Sequence, residues 1–309
     1  MIEVRDLRKS YGPIEAVSGI SFDVQEGEIF GLLGPNGAGK TTTISMLSGL
    51  LRPDGGEMLV GGHDPWSSAG AVRRLMAIVP QDLAIYEELT GAENLRFWGG
   101  LYDLSGDRLQ TRVAAVLKAV GLEERAGSRA STYSGGMKRR LNLGMALLPE
   151  PKVLLLDEPT VGIDPQARLR IQTLVKSLAA GGMTVIYTTH YMEEAQDICR
   201  RIGIMDHGRI LALGTLEELT RLVGKGDLVT VRGEFRLAEL EAYMRRLQGL
   251  AILKGEDGLA LMALDPSQSK VGALMEQLYN SELDIQDLSI KPPTLQDVFI
   301  KLTGRDLRD

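Results

Sequence analysis

The sequence predicts an α/β domain built on a mainly parallel sheet, followed by a smaller α+β domain. Three observations carry that expectation. The apolar runs VLLLD (153–157) and TVIYTTH (184–190) have the length and β-branched content of buried strands, and helical stretches separate them. Residues 1–30 instead alternate short β-rich runs with turn residues, as in IEVRDL and ISFDVQEGEIFGLLG, the pattern of an antiparallel sheet leading into a buried strand at 28–33. Beyond residue 227, strands and helices follow one another in a second, shorter series.

Taken in order, strands alternate with helices from residue 28 to about 222, which is the signature of a parallel-sheet domain. A helix-rich insert fills roughly residues 90–150. Its first helix opens with Thr90 and Glu93 at the spacing of a capping box. The run VGKGD (223–227) reads as a linker, so the expected domains are 1–222 and 228–309. In the second, strand 228–233, helix 236–248, strands 251–254 and 259–264, helix 267–281 and strand 284–290 give a β-α-β-β-α-β order, that of a ferredoxin-like domain. A short helix at 294–302 follows Pro292 and Pro293.

Composition narrows the function classes. With 44% hydrophobic and 25% charged residues over 309 positions, the chain has an ordinary globular composition, and disordered, collagenous and disulfide-scaffold classes are excluded. Cys199 is the one cysteine and has no internal partner for a disulfide. The net charge of -6 is spread evenly: residues 1–222 carry 24 basic and 27 acidic side chains, residues 223–309 carry 11 and 14. Neither part is a basic arm, so no nucleic-acid partner is expected. No run approaches the ~18 apolar residues of a spanning helix. The start, MIEVRDLRKSYG, places charges where a signal peptide has its apolar region. Any membrane role is therefore expected from outside the bilayer.

Chemistry concentrates in three places. GPNGAGKT, residues 34–41, fits the G-x-x-x-x-G-K-[ST] phosphate loop between a predicted strand and a predicted helix. Glycines at 34, 37 and 39 let backbone N–H groups turn inward around phosphate, the following helix adds its N-terminal dipole, Lys40 reaches the outer phosphates, and the Thr41 hydroxyl suits Mg²⁺. VLLLDEP ends an apolar strand with Asp157, placed for the Mg²⁺ shell, and Glu158, placed to polarise an attacking water. YSGGMKRR (133–140) sets Ser134, Gly135 and Gly136 at the head of a helix, where backbone donors suit an anion; alone it reads more readily as a loop with a helix cap at Ser134, and its place shortly before VLLLDEP turns the reading toward function. His63 and His207 lie in turn-like segments without any assigned role, and the histidines and cysteine show no metal-ligand spacing.

These motifs, in this order, resemble the nucleotide-binding subunit of an ABC transporter over about residues 2–222. The resemblance implies a P-loop ABC ATPase domain with an antiparallel β subdomain and a helical insert. It places Tyr11 against adenine and Gly34, Pro35, Asn36, Gly37, Ala38, Gly39, Lys40, Thr41 and Thr42 around the phosphates. Gln81 corresponds to the Q-loop, 133–137 to the signature, Asp157 and Glu158 to the Walker B aspartate and catalytic glutamate, Asp164 to the D-loop and His190 to the switch histidine. Glu158, His190 and Gln81 would be catalytic; Thr41, Gln81 and Asp157 would hold Mg²⁺. The usual LSGGQ has become YSGGM, with Tyr133 and Met137 as departures, while Ser134 and Gly136 remain. That variant, together with PPTLQDVFIKLTG (292–304), is similar to the drug-efflux (daunorubicin-resistance type) and ABC-2 branch.

The family reading implies ATP and Mg²⁺ as cofactors, and a sandwich of two such subunits, expected as a homodimer. It also implies a multi-spanning permease on a separate chain and a place on the cytoplasmic face of the cell membrane. Leu83, Ile85, Tyr86, Phe97 and Trp98, in the segment after Gln81, are where the resemblance puts permease contact; the same residues would also suit a core. An exporter ATPase is the leading reading. An importer ATPase and a soluble ABC ATPase are the alternatives. The second domain shows no catalytic cluster, and a regulatory or dimer-stabilising role is the expectation for it.

Overall fold

The computed structural model describes residues 1–304 apart from 225, 245–248, 266–270, 280 and 282. It divides into two compact units, Met1–Leu213 and Gly214–Leu307.

In the first unit, β1 (Ile2–Tyr11) and β2 (Ile14–Val24) form a hairpin, and β3 (Ile29–Leu33) leads into α1 (Lys40–Leu47). Then come β4 (Gly55–Val60), α2 (Ala69–Leu75), β5 (Met76–Val79), α3 (Gly91–Leu101), α4 (Gly106–Ala119) and α5 (Gly135–Leu147). β6 (Val153–Asp157), α6 (Pro165–Ala180), β7 (Thr184–Thr189), α7 (Met192–Ile198), β8 (Arg201–Asp206) and β9 (Arg209–Gly214) complete it. A three-stranded antiparallel sheet has the order β2-β1-β4, and a six-stranded sheet the order β5-β6-β7-β3-β8-β9. β3, β5, β6, β7 and β8 pair in parallel, so their carboxyl ends share one edge: Leu33 stands opposite Thr189, and Asp157 opposite Thr188. In open parallel sheets this edge is where ligands bind.

Strand β6 shows why the sequence folds this way. All five of its residues are buried, Val153 and Leu155 in the core shared with β1, β2, β4 and α1, Leu154 and Leu156 in the core shared with α3 to α6. A strand with two buried faces has no polar side to alternate with, and each buried leucine contributes roughly 1.5–3 kcal/mol. The insert helix α3 begins with the expected capping box: the Thr90 hydroxyl accepts from the Glu93 N–H, and the Glu93 carboxylate accepts from the Thr90 N–H.

The second unit comprises α8 (Leu216–Thr220), β10 (Leu228–Glu234), α9 (Leu237–Met244), β11 (Leu250–Glu256), β12 (Leu259–Leu264), α10 (Val271–Tyr279), β13 (Asp284–Lys291) and α11 (Leu295–Thr303). Its antiparallel sheet, β11-β12-β10-β13, has the strand order of the β-α-β-β-α-β fold. Residues 245–248 of the first expected helix and 267–270 and 280 of the second lie outside the described residues, as does Lys225 of the VGKGD run. The division falls at Gly214 because α8 packs on α11, and both belong to the second unit.

Candidate active site

Three chain segments, those following β3, β6 and β7, meet at the carboxyl edge of the parallel sheet. The first is the loop from Gly34 to Gly39. A Cβ at Gly34 would lie 2.1 Å from the Met205 carbonyl oxygen, and one at Gly39, where φ is 104°, would lie 2.4 Å from that of Ala16. At Gly37 a Cβ would meet nothing within 4 Å, so the loop is hemmed at its ends and open at its middle. Its frame is completed by Gly34 N–H donating to the Thr189 carbonyl (3.2 Å) and Gly208 N–H donating to that of Ala38 (3.0 Å). Asn36, Gly37 and Thr41 face solvent. The first-turn N–H groups of α1 have no helical carbonyl upstream. The result is an anion cradle at a helix N-terminus.

The second and third segments supply charge. Lys40 is buried, its ammonium donating to the carbonyls of Gly34 (2.7 Å) and Pro35 (3.1 Å) and lying 3.0 Å from Glu158 Oε1. Glu158 is 5% exposed, and its other oxygen, Oε2, lies 3.2 Å from His190 Nδ1. The backbone at Glu158 has φ 46°, a left-handed conformation costly for a side chain of this size. What holds it there is visible: the Glu158 N–H donates to Thr188 Oγ1 (3.0 Å), and that hydroxyl donates to Asp157 Oδ1 (2.7 Å). Lys40, Asp157, Glu158 and His190 thus come from three strand ends and converge.

The Asp157 carboxylate is 3% exposed, and among the described residues no donor reaches its second oxygen. Asp157, the exposed Thr41 hydroxyl and the Gln81 amide are hard oxygen donors, which fits Mg²⁺. No trio of His, Cys, Asp or Glu converges into a metal cage among the described residues. Gln81 sits two residues beyond β5, beside β6, and its carbonyl accepts from Arg139.

Tyr11 is half exposed at the tip of the β1–β2 hairpin, and the second strand of that hairpin carries Ala16, the residue against Gly39. Ser134 caps α5 by accepting from the Met137 N–H at 3.3 Å. Ser134 and Gly135 are exposed, while Gly136 is buried so closely on Ala167 that a Cβ there would lie 2.3 Å from Ala167 Cβ. Asp164 is exposed and caps α6, accepting from the Ala167 N–H at 2.8 Å. The signature and the D-loop therefore lie side by side. Of the segment after Gln81, Leu83, Tyr86 and Phe97 are exposed, whereas Ile85 and Trp98 pack on the core.

The sequence reading missed the cluster behind His190. Glu194, 1% exposed, faces the hydroxyls of Thr160, Tyr187 and Thr189 and the guanidinium of Arg168. In YMEEAQ it looks like a solvated helix start. The signal available was its place beside Ala195 and four residues before Ile198, on the apolar face.

A family model described as ABC transporter matches residues 17–161, and one described as ATP-binding protein DrrA1-3-like, C-terminal domain, matches residues 214–303. The linearmycin resistance ATP-binding protein LnrL of Bacillus subtilis is 43% identical over 316 residues, covering 100% of both chains. This chain belongs to the ABC transporter ATP-binding subunits, on their drug-efflux branch. The daunorubicin/doxorubicin resistance ATP-binding protein DrrA of Streptomyces peucetius is 39% identical to this ABC ATPase, covering 100% of the chain and 94% of DrrA. Among solved structures, the dimeric post-hydrolysis ATP-binding cassette MJ0796 with ADP and Pi has a TM-score of 0.63 at 25% identity, covering 70% of this chain and 98% of that one. The ABC ATPase binds and hydrolyses ATP and is the ATPase subunit of an exporter, acting with a membrane permease. No helix among its described residues is long and apolar enough to cross a membrane.

Proposed function

We propose that residues 34–42 hold the ATP phosphates, with Lys40 on the outer ones, Tyr11 on adenine, and Thr41, Gln81 and Asp157 on Mg²⁺. When bound, the metal supplies Lewis-acid neutralisation of charge on the phosphates. Glu158 polarises the attacking water, and His190 steadies the terminal phosphate. The observation that carries this reading is that one buried carboxylate, Glu158, stands between Lys40 and His190 at the sheet edge. A carboxylate held there is oriented on the same sheet edge as the phosphate loop, where a general base for water attack is needed.

The second half of each site comes from a second copy of this chain. Ser134, Gly135 and Asp164 are exposed at two adjacent helix starts, with Gly136 packed behind them on Ala167, and the backbone donors there can meet the phosphate bound by the partner. ATP closes the dimer, hydrolysis opens it, and a permease on a separate chain reads the two states from the cytoplasmic face of the membrane. Leu83, Tyr86 and Phe97 are the exposed apolar surface for that permease.

Glu158→Gln tests the reading. It keeps the size of the side chain and removes the base, so the variant should accumulate as an ATP-bound dimer in size-exclusion chromatography with hydrolysis abolished. Turnover at the wild-type rate would sink the assignment.

A further inference from the structure

Glu194 is a fully buried carboxylate to which the proposed mechanism gives no task. Its neighbours have one property in common. Thr160, whose hydroxyl lies 2.7 and 2.9 Å from the two oxygens, is two residues after Glu158. Thr189, which donates to Oε2 at 3.0 Å, immediately precedes His190, and its hydroxyl also accepts from the Tyr191 N–H at 2.9 Å. Arg168, with Nε 3.2 Å from Oε1 and its guanidinium 4.6 Å from the centre of the Tyr191 ring, lies one helical turn beyond Asp164. Tyr187 closes the ring with its own hydroxyl at 3.0 Å from Oε2 and 3.3 Å from Thr160 Oγ1.

A buried carboxylate is strongly unfavourable unless it is fully partnered, and apolar side chains would fill the same space without that cost. What the carboxylate adds is direction. Each hydroxyl donor it gathers, and the ion-paired Arg168, is attached within a few residues of a group the site uses, and the His190 turn is tied on both sides, at Thr189 and at Tyr191. Burial and the nearby carboxylate push the Tyr187 phenol well above its usual range, which keeps it a neutral donor.

Resting on the proposed roles of Glu158, His190 and Asp164, we propose that Glu194 is a positioning residue that fixes these three relative to one another. It acts through the Thr160, Thr189 and Tyr187 hydroxyls and through Arg168.

The test uses the full-length chain with ATP and Mg²⁺. Thr160→Val and Thr189→Val each delete one donor at nearly constant volume. Each should lower kcat on the order of tenfold, the scale of a sub-ångström to ångström misplacement, with KM and ATP affinity little changed. Because both hydroxyls act through one carboxylate, the double variant should lose no more than the weaker single. In a Glu194→Ala background both substitutions should be silent. Thr160→Ser, which keeps the hydroxyl, should restore kcat; failure of Thr160→Ser to do so would assign the effect to the lost methyl group and overturn the proposal. Losses that multiply in the double variant would also overturn it. If Glu158→Gln is inactive while both valine variants turn over at the wild-type rate, the positioning role falls and the catalytic reading stands. Wild-type turnover by Glu158→Gln would remove the reading beneath it.

Discussion

Tyr133 occupies the space in which residue 91 would carry a side chain: a Cβ on Gly91 would lie 2.3 Å from the Tyr133 hydroxyl. That hydroxyl donates to the Arg125 carbonyl at 2.6 Å, and burial pushes the phenol above its usual range. The tyrosine of YSGGM is therefore accommodated by a glycine at the start of α3, some forty residues earlier. Gly91→Ala should destabilise the protein by about 1–3 kcal/mol through overpacking, read as a lowered thermal midpoint. Tyr133→Phe keeps the fit and strands one carbonyl, costing about 1 kcal/mol. Tyr133→Leu in the Gly91→Ala background should recover part of the loss, and an additive loss would refute the pairing.

Lys40→Ala should abolish measurable ATP binding in an equilibrium titration, a loss of tenfold or more for a charge-assisted contact. It also leaves Glu158 buried without its cation. Lys40→Arg should not rescue, because a planar fork cannot reproduce a point charge that sits on two carbonyls and one carboxylate.

Acid should act on the joint between β2 and β8. The Arg201 guanidinium first, and the Gln25 amide second, hold the Asp23 carboxyl below the usual carboxylate range. A lowered folded-state value stabilises the protein above the ordinary aspartate range and stops doing so as pH falls through the lowered value. Asp23 is half exposed, so solvent screening holds this contribution to about 1 kcal/mol at most. Asp23→Asn should be less stable than wild type near neutrality and converge with it in acid, once the pH has fallen below the lowered Asp23 value. Parallel denaturation curves at all pH values would contradict this.

Tyr86 is 46% exposed and stands edge-on to Phe97 at 4.9 Å, while buried Asn94 accepts from its N–H at 2.8 Å and donates to its carbonyl at 2.9 Å. The backbone is thus held from below and the ring is offered outward. Tyr86→Asp should uncouple transport in membranes that contain the permease, while the purified chain keeps its own ATPase rate. Loss of both together, with a lowered melting point, would assign the ring to folding instead.

What could be read from sequence was what is local. The phosphate loop, the caps at Thr90 and Ser134 and the doubly buried β6 each depend on residues within a few positions of one another, so their physics is written in one short stretch. The Glu194 cluster draws on Thr160, Arg168, Tyr187 and Thr189, which only the pairing of β6 with β7 brings together. The aromatic segment divided for a similar reason. Trp98 turns inward because its indole N–H meets the Ala84 carbonyl at 3.2 Å, while Phe97, one residue earlier, points away. A list of apolar residues holds no record of which neighbour is polar and within reach.

The tight ends of the phosphate loop carry a mechanical consequence. Met205 belongs to the parallel sheet and Ala16 to the antiparallel one, and both press on the loop with backbone carbonyls. Backbone cannot swing aside as a rotamer can, so the loop works as a keystone whose outline is set jointly by two separately built sheets. Any drift of one sheet against the other must first deform the seat of the nucleotide, and a nucleotide gripped in that seat is in turn a brace between them.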